Sequence, residues 1–210
     1  MKNFFLRLVS SIIIAPIFLY ALYEVSYLFY AISLFILFAS YYEINKNIKQ
    51  KKIIYFLYLI ILLCIFCLFI VRGYGYEKYI LCVWILSIVW FSDIGGYLFG
   101  KIFKGPKLSK YSPNKTISGL FGSIIFSQFS SLIPIYFLNN FYINLKFIFV
   151  QFLFCIISVL GDIFFSYIKR INNIKDYSNL IPGHGGILDR IDGMIFVIIF
   201  YCLLILTNAI

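Results

Sequence analysis

Four aspartates stand where an apolar chain should carry no charge. Asp93 lies inside WFSDIGGYLFG, Asp162 inside SVLGDIFFSYIKR, and Asp189 and Asp192 open the last apolar run in GGILDRIDGMIF. A charge within a membrane span costs about 2.5–3.5 kcal/mol on insertion scales, so such a residue normally faces a bundle interior or an aqueous cavity and has a partner. A structural ion pair, or an acid that snorkels to the surface, accounts for any one of them. The set is harder to explain in that way. All four fall near one end of their runs, on the side that holds most of the cations. Asp189 and Asp192 are spaced i, i+3 and share a face if the segment is helical, while Asp162 and Ser166 are spaced i, i+4 on the preceding run. Two helices then bring three carboxylates together at membrane depth. They repel unless a cation sits between them, and hard oxygen ligands suit Mg²⁺, which often binds through one or two carboxylates plus substrate phosphates. The other acids call for less: Glu24, Glu43 and Glu77 are expected in or beside loops with no special role, and Asp176 in a loop.

Between the acids runs IPGHGGILDR. Pro182, Gly183, Gly185 and Gly186 do not make a stable helix, and glycines permit positive φ. Such a loop can bring its N–H groups to a phosphate as an anion nest, although a glycine-rich turn is more often only a turn. Lys169, Arg170, Lys175 and Arg190 flank this one. His184, the single histidine, either satisfies a local hydrogen bond or donates to a phosphate oxygen.

The elements that must hold these residues are apolar helices. The chain has 210 residues, 63% hydrophobic and 12% charged, against about 25% charge in a soluble domain. Its apolar runs approach the ~20 residues that span a bilayer. They predict an all-α polytopic bundle of about seven spans, roughly 6–22, 26–42, 53–71, 79–99, 117–138, 146–168 and 191–208, with the break near Glu24 the least defined. The basic, apolar start resembles a signal peptide, but without a convincing cleavage site it reads as the first span. One integral membrane domain is expected over 1–210, with N-terminal spans over 1–90 and the catalytic part over 91–210. Of 18 Lys and Arg, only Arg72, Lys78 and Lys146 fall on one side. The rest lie on the other, which is therefore cytoplasmic and carries the N-terminus. Short basic loops tethered to a bilayer argue against nucleic acid. They set topology and hold anionic headgroups, or bind a polyphosphate. Cys64 and Cys67 have redox-motif spacing, but lie mid-span with the other three cysteines and read as small packing residues.

The stretch Ser166-Tyr-Ile-Lys169-Arg170, then Lys175-Asp176-Tyr-Ser178 through Pro182-Gly-His184-Gly185-Gly186-Ile-Leu-Asp189-Arg190-Ile-Asp192, resembles the signature of the phosphatidate cytidylyltransferases (CDP-diglyceride synthases). A second block, Ser92-Asp93-Ile-Gly95-Gly96-Tyr97 to Lys101 and Lys107 to Lys115-Thr116, is similar to that family's middle segment. The resemblance covers about 92–192; the earlier part matches only as apolar helices. There are departures. The family commonly has Trp-Glu-Gly where this chain has Ile117-Ser118-Gly119, and Phe-Glu-Ser where it has Phe164-Phe165-Ser166.

The resemblance implies the reaction CTP + phosphatidate → CDP-diacylglycerol + pyrophosphate, at the cytoplasmic face of a bacterial inner membrane. It implies Asp162, Asp189, Lys169 and Arg190 as catalytic residues. Mg²⁺ would be held by Asp162 and Asp189 with Asp192 as a third candidate, and a second cation is left open. Asp93, Tyr97, Lys115, Thr116, Ser166, Arg170, Lys175, Asp176, Gly183, His184, Gly185 and Gly186 would bind substrate. Partners are CTP, phosphatidate and the bilayer, with a homodimer left open. The competing readings are a CTP-dependent kinase or cytidylyltransferase acting on another lipid, an ion-coupled transporter, and an inactive scaffold lacking two family carboxylates. Against the transporter, the acids sit at one face rather than the midplane, and no repeated half is visible.

Overall fold

The computed structural model describes residues 2–25, 27–139, 141–181 and 185–208, with side chains from residue 13 onward. Its helices are α1 (Lys2–Glu24), α2 (Tyr27–Asn47), α3 (Lys51–Arg72), α4 (Tyr76–Phe103), α5 (Ile117–Ser127), α6 (Leu132–Phe137), α7 (Leu145–Ile171) and α8 (Leu188–Leu206). Among the described residues there is no strand, only two isolated bridges, Lys107 with Thr116 and Ile181 with Gly185. Among the described residues, five stretches are long and apolar enough to cross a membrane: α2, α3, α4, the unit Ile117–Phe137, and α7. α8 has 19 residues but carries Asp189, Arg190 and Asp192 in its first turns. Large apolar side chains such as Phe35, Leu59, Phe66 and Phe149 point outward. In water that would be untenable; in lipid it is the expected outer face. The protein is an all-α membrane bundle.

The centre is built by α3, α4, α7 and α8, where Leu57, Ile88, Phe154, Leu188 and Ile195 are almost completely buried. Trp84 of α4 stacks on Phe147, ring centroids 4.8 Å apart, and meets Tyr201 of α8 edge-on. The five cysteines are free and buried, as packing residues should be.

Small residues bring α4 and α5 together. With lipid as solvent, helices associate through close backbone packing rather than a hydrophobic drive. Gly95 and Gly96 on α4 face Gly122, Gly119 and Ser123 on α5. A methyl on Gly96 would lie 2.7 Å from Ser123 Oγ, and one on Gly119 2.8 Å from the Gly96 carbonyl oxygen. Ser123 Oγ donates to the Ser92 carbonyl at 2.7 Å, locking the register one residue from Asp93. A methyl on Gly122 would meet the Gly95 carbonyl at 2.5 Å. That neighbour is backbone and cannot rotate away. Gly122→Ala is therefore expected to destabilise by about 1–3 kcal/mol, the range for overpacking. Thermal unfolding in detergent checks this, and an unchanged midpoint would show that the two helices separate freely.

The span expected as one continuous helix over 117–138 is broken. α5 ends in a 3₁₀ turn at Gln128–Ser131, and α6 follows with Pro134 inside it. Pro134 has no N–H, and its ring opposes the carbonyl four residues back. Gln151, fully buried on α7, supports the break by donating to the Ser127 carbonyl at 2.6 Å and lying 2.9 Å from Ser130 Oγ.

Contacts sort the loops into two ends. Buried Arg72 donates to the carbonyls of Leu22, Tyr23, Gly73 and Gly75, fastening the end of α1 to the α3–α4 turn. A cavity of about 470 Å³ lined in part by Val71, Lys78, Tyr142 and Lys146 sets the segment before α7 at that same end. At the opposite end Lys49 N–H reaches Asn172 Oδ1, and Arg170 Nε reaches the Tyr111 carbonyl. The segments 48–50, 104–116, 172–181 and 185–187 thus gather around the starts and ends of α2, α4, α7 and α8, as the distribution of cations predicts.

Candidate functional site

Glycine contacts again decide where the acids meet. On α8, a methyl at Gly193 would lie 2.9 Å from Asp162 Oδ1 and 2.8 Å from Ser158 Oγ; on α7, one at Gly161 would lie 2.9 Å from the Asp192 carbonyl. The two helices touch backbone to backbone there, so Asp162 and Asp192 come side by side. Their carboxylates lie within electrostatic range of each other, where like charges repel unless a proton or cation offsets them. Asp192 Oδ1 also accepts from Gly193 N–H at 2.9 Å. Asp93 of α4 is surface-accessible and completes the acidic group, within electrostatic range of Asp162, Lys115 and Arg190.

Lys115 arrives from a hairpin. Leu108 N–H donates to the Lys115 carbonyl at 2.8 Å and Ile117 N–H to the Pro106 carbonyl at 3.0 Å, which turns the 104–116 segment back over the bundle. Lys115 Nζ then forms an ion pair with Asp162 Oδ2. Thr116, expected to touch substrate, caps α5 here, accepting from Gly119 N–H at 3.0 Å. Ser118, one of the departures from the family pattern, hydrogen-bonds Thr116 Oγ1 at 3.0 Å and donates to the Lys104 carbonyl.

Asp189 faces differently from Asp192 although both lie on α8. Its Oδ1 pairs with Lys169 Nζ at 2.7 Å, and its Oδ2 accepts from Tyr177 N–H at 2.8 Å and Gly186 N–H at 3.0 Å. Reaching back three residues to an amide is the bond a capping residue makes. The three carboxylates expected at one point therefore divide into a neighbouring pair, Asp162 with Asp192, and a separate Asp189 turned to the loop amides. Among the described residues, no three His, Cys, Asp or Glu side chains form a metal-binding group.

Several amides at the start of α8 are occupied by protein. Gly186 N–H serves Asp189, while Ile187 and Leu188 N–H donate to Glu43 at 2.8 and 2.9 Å. Ile181 N–H goes to the Gly185 carbonyl. Gly185 has φ +85°, a conformation that favours glycine, and packs 3.2 Å from Asp189 Oδ2 as measured from its would-be Cβ. Of the nest expected from Gly183, His184, Gly185 and Gly186, the Gly186 amide is taken by Asp189; Gly183 and His184 lie outside the described residues. Glu43, expected beside a loop with no special role, is completely buried in the last turns of α2. Asn47, one turn on, donates Nδ2 to the Tyr177 carbonyl. The signal for both was their i, i+4 spacing, which puts two polar groups on one face of an apolar helix.

Of the remaining candidates, Arg170 is exposed and also reaches the Ile174 carbonyl at 3.3 Å. Lys175 and Asp176 are exposed, and Ser166 is half-buried. Tyr97 is 66% exposed on α4, its ring under Lys101 Nζ at 5.7 Å, and is not brought to the acid pair. Phe165, the other departure, is fully buried against Phe196 and Tyr177. Burial pushes the Tyr177 phenol well above its ordinary range, with Asp189, Asp192 and Glu43 adding to the effect, so it packs as a neutral ring under Lys169.

The sequence has relatives among characterised proteins, three of which share one name. The phosphatidate cytidylyltransferase of Rickettsia typhi is 34% identical over 203 residues, covering 92% of this chain and 88% of the relative. That of Rickettsia prowazekii is 33% identical over 215 residues, covering 96% and 92%. The Helicobacter pylori enzyme of the same name is 38% identical over 119 residues, covering 56% of this chain and 44% of its own length. The profile of the cytidylyltransferase family matches residues 45–207, a span that includes Asp93, Asp162, Asp189 and Asp192. The chain belongs to the cytidylyltransferase family.

Proposed function

We propose that this protein transfers the cytidylyl group of CTP to phosphatidate, giving CDP-diacylglycerol and pyrophosphate. A phosphate oxygen of phosphatidate attacks the α-phosphorus of CTP. The bond from that phosphorus to the bridging oxygen breaks, and pyrophosphate leaves with the electron pair. The nucleophile is already anionic at neutral pH, so no general base is required. The difficulty is bringing two polyanions together, and catalysis is then mostly positioning and charge neutralisation. The observation that carries the reading is the close approach of α7 and α8 that makes Asp162 and Asp192 neighbours, with Lys115, Lys169 and Arg190 in electrostatic range, at the end of the bundle where a lipid headgroup would sit.

The residues fit Mg²⁺. Carboxylate oxygens are its preferred protein ligands, and a shared cation would offset the repulsion between the neighbouring Asp162 and Asp192. These two would hold it, with Asp189 joining once Lys169 leaves it. The ion would supply charge neutralisation at the phosphates. Lys115, Lys169, Arg170 and Arg190 would draw the triphosphate and the phosphatidate headgroup to the same place. The excess of cations at this end supports a cytoplasmic, inner-membrane site, where CTP is available and the lipid enters sideways from the bilayer.

The test is direct. Protein purified in detergent and supplied with labelled CTP, phosphatidate and Mg²⁺ is expected to form labelled CDP-diacylglycerol, with chelation stopping it. In a panel including polyprenyl phosphate and ether-linked phosphatidate, phosphatidate is expected to be the best acceptor. No lipid-linked label with any acceptor would overturn the reading.

A further inference from the structure

Glu43 lies two residues before the family match begins, on a helix that carries none of the candidate site residues. Its carboxylate nevertheless has no exposure to solvent. Oε1 accepts from Ser178 Oγ at 2.5 Å and from Ile187 N–H at 2.8 Å, and Oε2 accepts from Leu188 N–H at 2.9 Å. A methyl on Gly186 would lie 2.7 Å from Oε1, so the loop backbone rests directly on the carboxylate. Asn47, on the same face of α2, holds the Tyr177 carbonyl. α2 therefore grips the loop on both sides, at Tyr177–Ser178 and at Ile187–Leu188, with the glycine-rich turn between.

A buried anion at a helix start is favoured by the positive end of the helix dipole and by the amides that no turn of helix can satisfy. Here the anion also fixes the direction of the site residues on α8. Ile187 and Leu188 precede Asp189, whose carboxylate binds Tyr177 N–H, Gly186 N–H and Lys169; Arg190 and Asp192 come next on α8. Turning the first residues of α8 about the helix axis would redirect all three. The same bonds withdraw the α8 amides from any anionic ligand, leaving the side-chain cations to receive phosphate.

We infer that Glu43 is a positioning residue for the nucleotide site: its carboxylate sets the start of α8 and the loop over it, so that Asp189, Arg190 and Asp192 meet Mg²⁺·CTP in one register. This rests on the reaction proposed above. Glu43→Gln keeps the volume but replaces one acceptor oxygen with an NH₂ that opposes an amide N–H. It is expected to lower kcat/KM for CTP by about 10–100-fold, the range for groups that orient metal-binding residues, with the loss in both KM for CTP and kcat per folded molecule. Glu43→Asp, which retains the charge, is expected to recover part of it. Trypsin cleavage after exposed Lys175 reads the loop without any turnover, and is expected to quicken in Glu43→Gln. Wild-type cleavage together with kcat/KM within twofold of wild type would overturn the inference. Should Glu43→Gln not fold, Ser178→Ala decides: faster cleavage and a raised KM for CTP support it, and unchanged values overturn it. A wild-type protein inactive with CTP and phosphatidate would sink the proposed reaction alone, because the cleavage comparison stands without it.

Discussion

Asp162→Asn is expected to reduce kcat/KM by about 10³-fold or more while leaving the protein folded. Asp162 is the acid at which the site converges. It neighbours Asp192 across the close α7–α8 contact, is ion-paired with Lys115, and its side chain is only 15% exposed. An amide there keeps the shape but supplies a weak ligand and a hydrogen-bond donor where a second carboxylate already stands. Transition-state charge stabilisation by a metal and its cationic neighbours is worth several kcal/mol, and about 4 kcal/mol is a thousandfold in rate. The fold should survive, since removing one charge from a neighbouring pair relieves repulsion as it frees Lys115. Asp192→Asn is expected to cost a similar factor, and the double variant little more, because residues acting as a unit are far from additive. Asp93→Asn should lose less, as Asp93 is the more accessible. Labelled-CTP turnover and detergent melting curves measure both sides. Activity of Asp162→Asn within tenfold of wild type would mean that the pair does not hold the reacting phosphates.

The helices were legible because lipid imposes a simple pattern. A stretch such as 53–71 has nothing to satisfy its backbone but itself, so an apolar run of that length becomes α3. The expected limits fall within a few residues of those observed for α3, α4 and α7. The 128–131 break was less visible, although Ser127, Gln128, Ser130, Ser131 and Pro134 interrupt the run. Whether such residues bend a span depends on a distant partner, here Gln151. The hairpin that returns Lys115 to Asp162 is held by backbone bonds between residues of ordinary type, and no side-chain pattern announces it.

The acids were legible for a physical reason too. Each one in an apolar run demanded a partner, and Lys115 supplies it for Asp162 as Lys169 does for Asp189. The spacing of Asp189 and Asp192 was a poorer guide. An i, i+3 pair shares a face in mid-helix, but at the first turn of α8 one member turns back to the loop amides. Glu43 escaped because its role depends on contacts 144 and 145 residues away. A carboxylate just before a lysine-rich loop looks like any interfacial acid until the start of α8 is seen resting on it.

CTP and Mg²⁺ are expected to bind this protein as a unit, each raising the affinity for the other by about 10–100-fold, toward the upper end of usual coupling energies. The carboxylates are already held by lysines, Lys115 on Asp162 and Lys169 on Asp189, the second pair with side chains 11% and 5% exposed. CTP alone would draw the lysines away and leave the acids bare beside its own phosphates. Mg²⁺ alone would take the acids and strand the lysines. Breaking a buried pair without replacing it is strongly unfavourable, although water at Lys115 softens that cost. Together the two ligands exchange pairs for pairs. Lys169→Met separates this from simple site weakening, because its effects should have opposite signs. CTP affinity falls, as a phosphate contact is lost. Affinity for Mg²⁺ without nucleotide rises, since Asp189 no longer has a resident cation. Calorimetric titration of each ligand in the presence and absence of the other measures all four affinities. If Lys169→Met weakens both ligands alike, the lysine is holding the loop in place rather than giving up its carboxylate to the metal.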